Sequence, residues 1–253
     1  MAEYGTVFCG GCHGFLNYDY PEASAVFRLM TSDEFRKARE AYAYPVVGLS
    51  GGLNDWELVW FSSTRQMDYH HHELLVAGEN ASVVFGYVST VFWGHFSGQD
   101  GRIRKERANK RAEMARDKIV NLGIELASAG IRTALDFINS DRCGDALRVL
   151  CELPQLGPAF ASKVCAFLAP AKCGVIDSNI ASRYPQFGFS VDGNDNVKGT
   201  ADNRARYDSY CSVLFETAEK LDALGQDFLW RDRDGTPQRW RAVDVERALF
   251  GAT

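Results

Sequence analysis

The sequence predicts a mostly α-helical protein, a helical bundle with room for a short irregular or β-containing segment near the N-terminus. Three observations carry that expectation. Apolar residues recur at spacings of three and four, as in Val83, Val84, Tyr87, Val88, Val91 and Phe92. A second stripe of the same kind runs through Tyr207, Tyr210, Cys211, Leu214, Ala218 and Leu221. Prolines fall at the ends of these patterns, as at Pro45, Pro154, Pro158 and Pro185.

The 253 residues suffice for one large domain or two small ones. The division expected is an N-terminal segment, 1–79, packed on a helical domain, 80–253, whose central unit spans 143–184. With 46% hydrophobic and 24% charged residues and no repeat or low-complexity tract, the composition is that of a globular protein. No apolar run approaches the roughly 18–20 residues that span a bilayer. Met1-Ala2-Glu3-Tyr4-Gly5 lacks the basic start of a signal peptide, so a cytoplasmic monomer away from membranes is expected. A net charge of −5 argues against nonspecific nucleic-acid binding, although local charge matters more than the sum. Seven scattered cysteines (9, 12, 143, 151, 165, 173 and 211) suit reduced thiols better than a disulfide framework.

Taken in order, Thr31 to Glu34 has the spacing of a capping box and starts a helix to about Tyr42, closed by Pro45. Residues 44–69 carry Gly48, Gly51-Gly52 and Asn54-Asp55 and read as irregular, with one short strand near Leu58–Phe61. The apolar run from Asn80 to His95 reads as a buried helix, with a strand as the alternative given its β-branched residues. Gly98-Gln99-Asp100-Gly101 is a turn. Beyond it, Arg104, Lys105, Arg107, Lys110, Arg111, Arg116 and Lys118 stand against Glu106, Glu113 and Asp117. This basic stretch, which leads into an apolar pattern through Ile119, Leu122 and Leu126, is either a solvated helix face or a wall facing a phosphate backbone.

Two further helices are expected at Ile131–Asn139 and Cys143–Glu152. Leu153-Pro154-Gln155-Leu156-Gly157-Pro158 then reads as a tight turn. Pro154 ends one helix, Gly157 permits a backbone conformation that other residues avoid, and Pro158 suits the first position of the next helix. Its amides, turned outward at a helix start, could bind a phosphate, or the turn could simply close two helices. Val175-Ile176-Asp177 follows as a buried pair delivering a carboxylate to a short helix that Pro185 stops. Residues 186–202 are a Gly- and Asp-rich loop. A long helix over Asn203–Leu224 and a terminal one around Val243–Phe250 complete the chain.

Leu153-Pro154-x-Leu156-Gly157, an apolar helix, and Val175-Ile176-Asp177 twenty residues beyond Gly157 resemble the helix-hairpin-helix DNA glycosylase superfamily, which includes endonuclease III and the 8-oxoguanine and adenine glycosylases. The match covers about residues 140–185. It implies a helix-hairpin-helix bundle that excises a damaged or modified base, 8-oxoguanine type favoured, from double-stranded DNA with the base flipped out. It also implies a backbone grip by Gln155, Leu156, Gly157, Pro158, Ser178 and Asn179. No cofactor is implied, although a monovalent cation at the hairpin is allowed. The endonuclease III type of iron–sulfur cluster is excluded, because only Cys211 lies beyond residue 173.

Asp177 stands where the superfamily has its catalytic aspartate. A carboxylate there would stabilise an oxocarbenium-like sugar or accept a proton from the attacking group. Its plainer role is an N-cap for the next helix. Members that also cleave the strand carry a nucleophilic lysine two residues after the hairpin glycine, and this chain has Ala159 there. Lys163, one turn further on the same face and set among Phe160, Val164, Cys165 and Phe167, is the candidate amine. Its other roles would be a snorkelling side chain or a phosphate contact. With Lys163 the enzyme would be a glycosylase with lyase activity; with Asp177 activating water it would be a monofunctional hydrolase. A non-catalytic helix-hairpin-helix DNA-binding protein is the alternative from another class.

No metal is expected. Cys9-x-x-Cys12-His13 could form half a zinc site. His70-His71-His72 cannot easily grip one ion, since neighbours on a helix diverge by about 100°. Aromatic residues, Trp93, Phe187, Phe189, Trp230 and Trp240 among them, are numerous enough to line a base pocket, but most are core by default.

Overall fold

A computed structural model describes residues 30–96 and 101–252, with only the backbone given for 101–103. The Cys9-Cys12-His13 cluster and most of the turn expected at 98–101 lie outside the described residues.

Helix α1 (Ser32–Glu40) starts where the capping box predicts. Thr31 Oγ1 accepts from the Glu34 amide at 3.3 Å, and the Glu34 carboxylate accepts from the Thr31 amide at 2.6 Å. The next stretch carries the strand expected near Leu58–Phe61 and, unlike the sequence reading, a second strand paired with it. It forms an antiparallel hairpin of β1 (Val47–Gly51) and β2 (Trp56–Trp60), with Val47 opposite Trp60 and Gly51 opposite Trp56. Strand β1 lies in glycine-rich text that reads locally as loop. Tertiary packing decides it instead: Val47 and Leu49 are buried, and the Leu49 amide donates to Ser89 Oγ at 2.9 Å. Helix α2 (Thr64–Leu75) likewise begins inside the segment expected to be irregular, capped by Ser63.

Helix α3 (Asn80–His95) is buried on every side from Val83 to Trp93, so it is a core helix and not a strand. The basic stretch forms α4 (Gly101–Leu122), which ends at Gly123 with φ +107° before α5 (Ile124–Asn139). The apolar pattern expected to run through Leu126 is therefore broken. Leu126 belongs to α5 and is 61% exposed.

Helices α6 (Cys143–Cys151), α7 (Pro158–Leu168) and α8 (Ser178–Arg183) follow, then α9 (Ala201–Ala223). A two-residue-per-strand hairpin, β3 (Trp230–Arg231) with β4 (Pro237–Gln238), leads into α10 (Ala242–Gly251). Helix α3 is central and packs against α2, α4, α5 and α7, while α10 lies against α1 and α9. One main core runs from Phe35 to Leu249. No described helix is long and apolar enough to cross a membrane.

Helix α10 is held by buried charge as well as by apolar contact. Arg39 from α1 meets Asp244 at 2.9 Å, and Arg247 meets Asp68 from α2 at 2.6 Å. Arg241 reaches both carboxylates, and Arg39 also stacks over Trp230 at 3.7 Å from the ring centre. Burial pushes the Asp68 and Asp244 carboxyls up, but the surrounding guanidinium groups more than offset it and hold both below the usual carboxylate range.

Candidate active site

The hairpin joins α6 to α7 as expected, but its strained residue is not the glycine. Gln155 has φ +66°, whereas Gly157 is extended at φ −78° and ψ 173°. The Leu156 amide closes the turn onto the Leu153 carbonyl at 3.3 Å, and Tyr87 Oη anchors it by donating to the Pro154 carbonyl. A Cβ on Gly157 would meet nothing within 4 Å, so the position faces open space. Pro158 occupies the first helical position, and Leu156 is buried as the plug beneath the turn. Among the described residues, the amides of Gly157 and Ala159 have no backbone or side-chain acceptor. They are the donors a phosphate oxygen would use at a helix N-terminus.

The carboxylate is delivered by a second tie between α7 and the chain beyond it. Ser162, fully buried, accepts from the Ile176 amide at 3.0 Å and donates back to the Ala159 carbonyl at 3.1 Å. Tyr207 Oη and Tyr210 Oη from α9 donate to the Gly174 and Val175 carbonyls at 2.8 and 3.3 Å. Held on both sides, the segment places Asp177 at the N-cap of α8, with Oδ1 accepting from the Asn179 and Ile180 amides at 3.0 Å each. The cap reading of Asp177 is thus realised in the structure. The capped oxygen leaves Oδ2 for other partners. Ser178 and Asn179 are exposed and edge a shallow groove with Phe189 and Val191.

Lys163, on α7, is 9% exposed. Its Nζ donates to the Ala159 carbonyl at 3.2 Å and sits 5.1 Å from the centre of the Phe160 ring. Burial pulls the ammonium below the ordinary lysine range, while the charges of Asp177 and Glu246 oppose that shift. Two glycines make room for this packing. A Cβ at Gly94 would come within 2.5 Å of Phe160 and 3.1 Å of Lys163 Cδ, and one at Gly174 would come within 2.9 Å of the Glu246 stem.

Glu246 is the site residue that sequence reasoning missed. It projects from α10, is 3% exposed, and its acid is pushed up to about 8 by burial, with Asp177 adding to the rise and Arg247 and Lys163 opposing it. The available signal was the unusual run Val243-Asp244-Val245-Glu246-Arg247, three ionisable residues in an otherwise apolar helix. His95 was also missed. It stacks on Phe160 at 4.5 Å between ring centres, and burial followed by Arg111, Arg107 and Lys163 lowers its imidazole to about 4. The exposed Arg107 and Arg111 of α4 therefore stand in one electropositive neighbourhood with Lys163.

The histidine triplet is structural. His70, His71 and His72 hydrogen-bond the carbonyls of Leu49, Met67 and Phe167, and His71 also meets Ser89 Oγ. Trp230, Trp240 and Tyr207 are core side chains, as their default reading has it.

The chain is thus a mostly helical bundle in which a capping carboxylate and a buried lysine lie on the elements that follow a tight turn between two helices. The family described as "Putative 8-oxoguanine DNA glycosylase OGG-like protein" matches the chain over residues 70–250. The chain belongs to that family, and its function is glycosylase-like with DNA as the implied substrate. No curated protein and no solved structure matches it.

Proposed function

We propose that this protein is a DNA glycosylase that excises an 8-oxoguanine-type base from duplex DNA and then cleaves the strand through Lys163. The observation that carries the reading is the desolvated Lys163 amine, held by its neighbours near both Asp177 and Glu246. A lysine nucleophile must be neutral when it attacks, and burial favours the neutral form.

In this reading the amine attacks the sugar C1′ as the glycosidic bond breaks, and the base departs with the bonding electrons and a proton. The attacking nitrogen loses a proton to a neighbouring carboxylate, which passes it to the departing base, and Asp177 stabilises the positive charge that develops on the sugar. Opening of the sugar ring gives a Schiff base, and loss of a C2′ proton to a carboxylate, with departure of the 3′ phosphate, cleaves the strand. Ser162 and the α8 cap would hold Asp177 in place, Gln155–Pro158 and the free Gly157 and Ala159 amides would hold a phosphate, and Arg107 and Arg111 would face the backbone further along. Ser178 and Asn179 would complete the grip.

A panel of duplexes, each with one lesion (8-oxoguanine, uracil, hypoxanthine or an alkylated base), tests the proposal together with borohydride trapping. Release of 8-oxoguanine with a trapped covalent adduct is the expected result. Salt-sensitive DNA binding with no base released from any duplex would instead make the chain a non-catalytic binder.

A further inference from the structure

Three cysteine side chains from three separate segments converge. Cys143 is the first residue of α6, Cys173 lies in the turn that follows α7, and Cys211 is in the middle of α9. They are 5%, 0% and 2% exposed, and their sulfur atoms all lie within 4.8 Å of one another. The Cys143 and Cys173 sulfurs are 3.7 Å apart. A disulfide would need about 2.0 Å. Two thiolates on one tetrahedral zinc ion, each bonded at about 2.3 Å, would be separated by about 3.8 Å.

We propose that Cys143, Cys173 and Cys211 form a three-thiolate site for a single thiophilic metal ion, with Zn²⁺ as the best-fitting ion. Sulfur ligands select zinc or copper(I) over magnesium or calcium, which take oxygen. An open pocket lined by Cys143, Cys211, Asp208, Lys172 and Ser212 gives the ion a route in from solvent. It also leaves room for a water as fourth ligand. One Asp208 oxygen accepts from the amide of Gly144, the residue after Cys143, at 2.6 Å.

An ion at this position would clamp the first hairpin helix, the turn after the second and the α9 helix together. Cys173 is four residues before Asp177, so the clamp would also fix the base of the segment that carries the carboxylate. The site is independent of the glycosylase reading, and its test does not use enzymatic activity.

The full chain, reduced and stripped of metal with a chelator, is titrated with Co²⁺ and then with Zn²⁺. One equivalent of Co²⁺ should give a sulfur-to-cobalt charge-transfer band in the near ultraviolet, of an intensity matching three thiolates, and one equivalent of Zn²⁺ should abolish it. Cys143→Ser, Cys173→Ser and Cys211→Ser should each weaken binding tenfold or more, whereas Cys151→Ser, outside the cluster, should not. The band intensity counts ligands in the unsubstituted chain, so the result does not depend on any variant folding. Absence of the band, an intensity matching fewer than three thiolates, or a band that survives all three substitutions would overturn the proposal.

Discussion

The Nζ of Lys163 donates to the carbonyl of Ala159, one turn back along α7, at 3.2 Å. Ala159 is the position at which the superfamily's lysine would be expected, so the amine reaches back toward the region from which that lysine would act. From a position one turn deeper along the helix, both the stem and the amine of Lys163 are buried, with 9% of the residue exposed.

Replacing Lys163 by Ala should leave duplex binding within a few-fold of the parent while abolishing the borohydride-trapped adduct. In the parent, the trapping rate should rise with pH and level off below the ordinary lysine value of about 10.4, because burial lowers the folded-state pKa. An adduct that persists in the Lys163→Ala protein would remove the nucleophile from this position.

Asp177 has two roles that a pair of substitutions separates. Asn caps a helix about as well as Asp, so Asp177→Asn should fold with little loss, yet lose activity by about 10²–10³-fold if the charge stabilises the reacting sugar. Asp177→Ala loses both roles and should also cost about 0.5–2 kcal/mol of stability. Thermal unfolding and single-turnover base release measure the two effects separately. Full base release by Asp177→Asn would leave only the cap.

Glu246 imposes a pH dependence of defined sign. Its acid is raised from an unfolded value of about 4.3 to about 8 in the fold. The native state therefore binds more protons between those values. The associated stability is complete below about pH 4.3 and is lost as pH rises to about 8. Glu246→Gln should remove that slope, so the Tm of the variant relative to the parent should climb between pH 5 and 8 and then level off. Parallel Tm curves across that range would contradict the buried-acid assignment.

The Asp244 carboxylate behaves in the opposite way. Its folded value is depressed, so the stability it brings is present above the unfolded value of about 3.9 and disappears as pH falls below it. Asp244→Ala, which strands the Arg39 and Arg241 charges inside the protein, should cost about 3–5 kcal/mol by urea unfolding at pH 7. A loss under 1 kcal/mol would mean that the network is solvated.

What was legible in the sequence was local. The α1 cap, the periodicity of α3 and α9, the Pro158 helix start and the spacing from Gly157 to Asp177 are encoded within a few turns of chain, and the structure realises each of them. What was not legible depends on residues far apart. Strand β1 owes its form to Ser89 on α3, forty residues on, and Ser162 becomes informative only once Ile176 lies against it. Glu246 is sixty-nine residues from Asp177 and is brought near it by helix packing. The hairpin shows both sides. Its place was evident from Pro154 and Gly157, but Gln155 takes the left-handed conformation because the turn bends one residue after Pro154.

The ion network on α10 has a bearing on how this protein can be divided. Arg39, Arg65 and Asp68 come from chain that precedes residue 80, while their partners Asp244, Arg241 and Arg247 flank Glu246. A fragment starting at residue 80 would keep the hairpin, Lys163 and Asp177, yet α10 would lose Arg39, Arg65 and Asp68 and keep only the pairs that Arg241 and Arg247 make with Asp244. In such a fragment Glu246 would lose its fixed address, so studies of the isolated hairpin region would be studies of a different site.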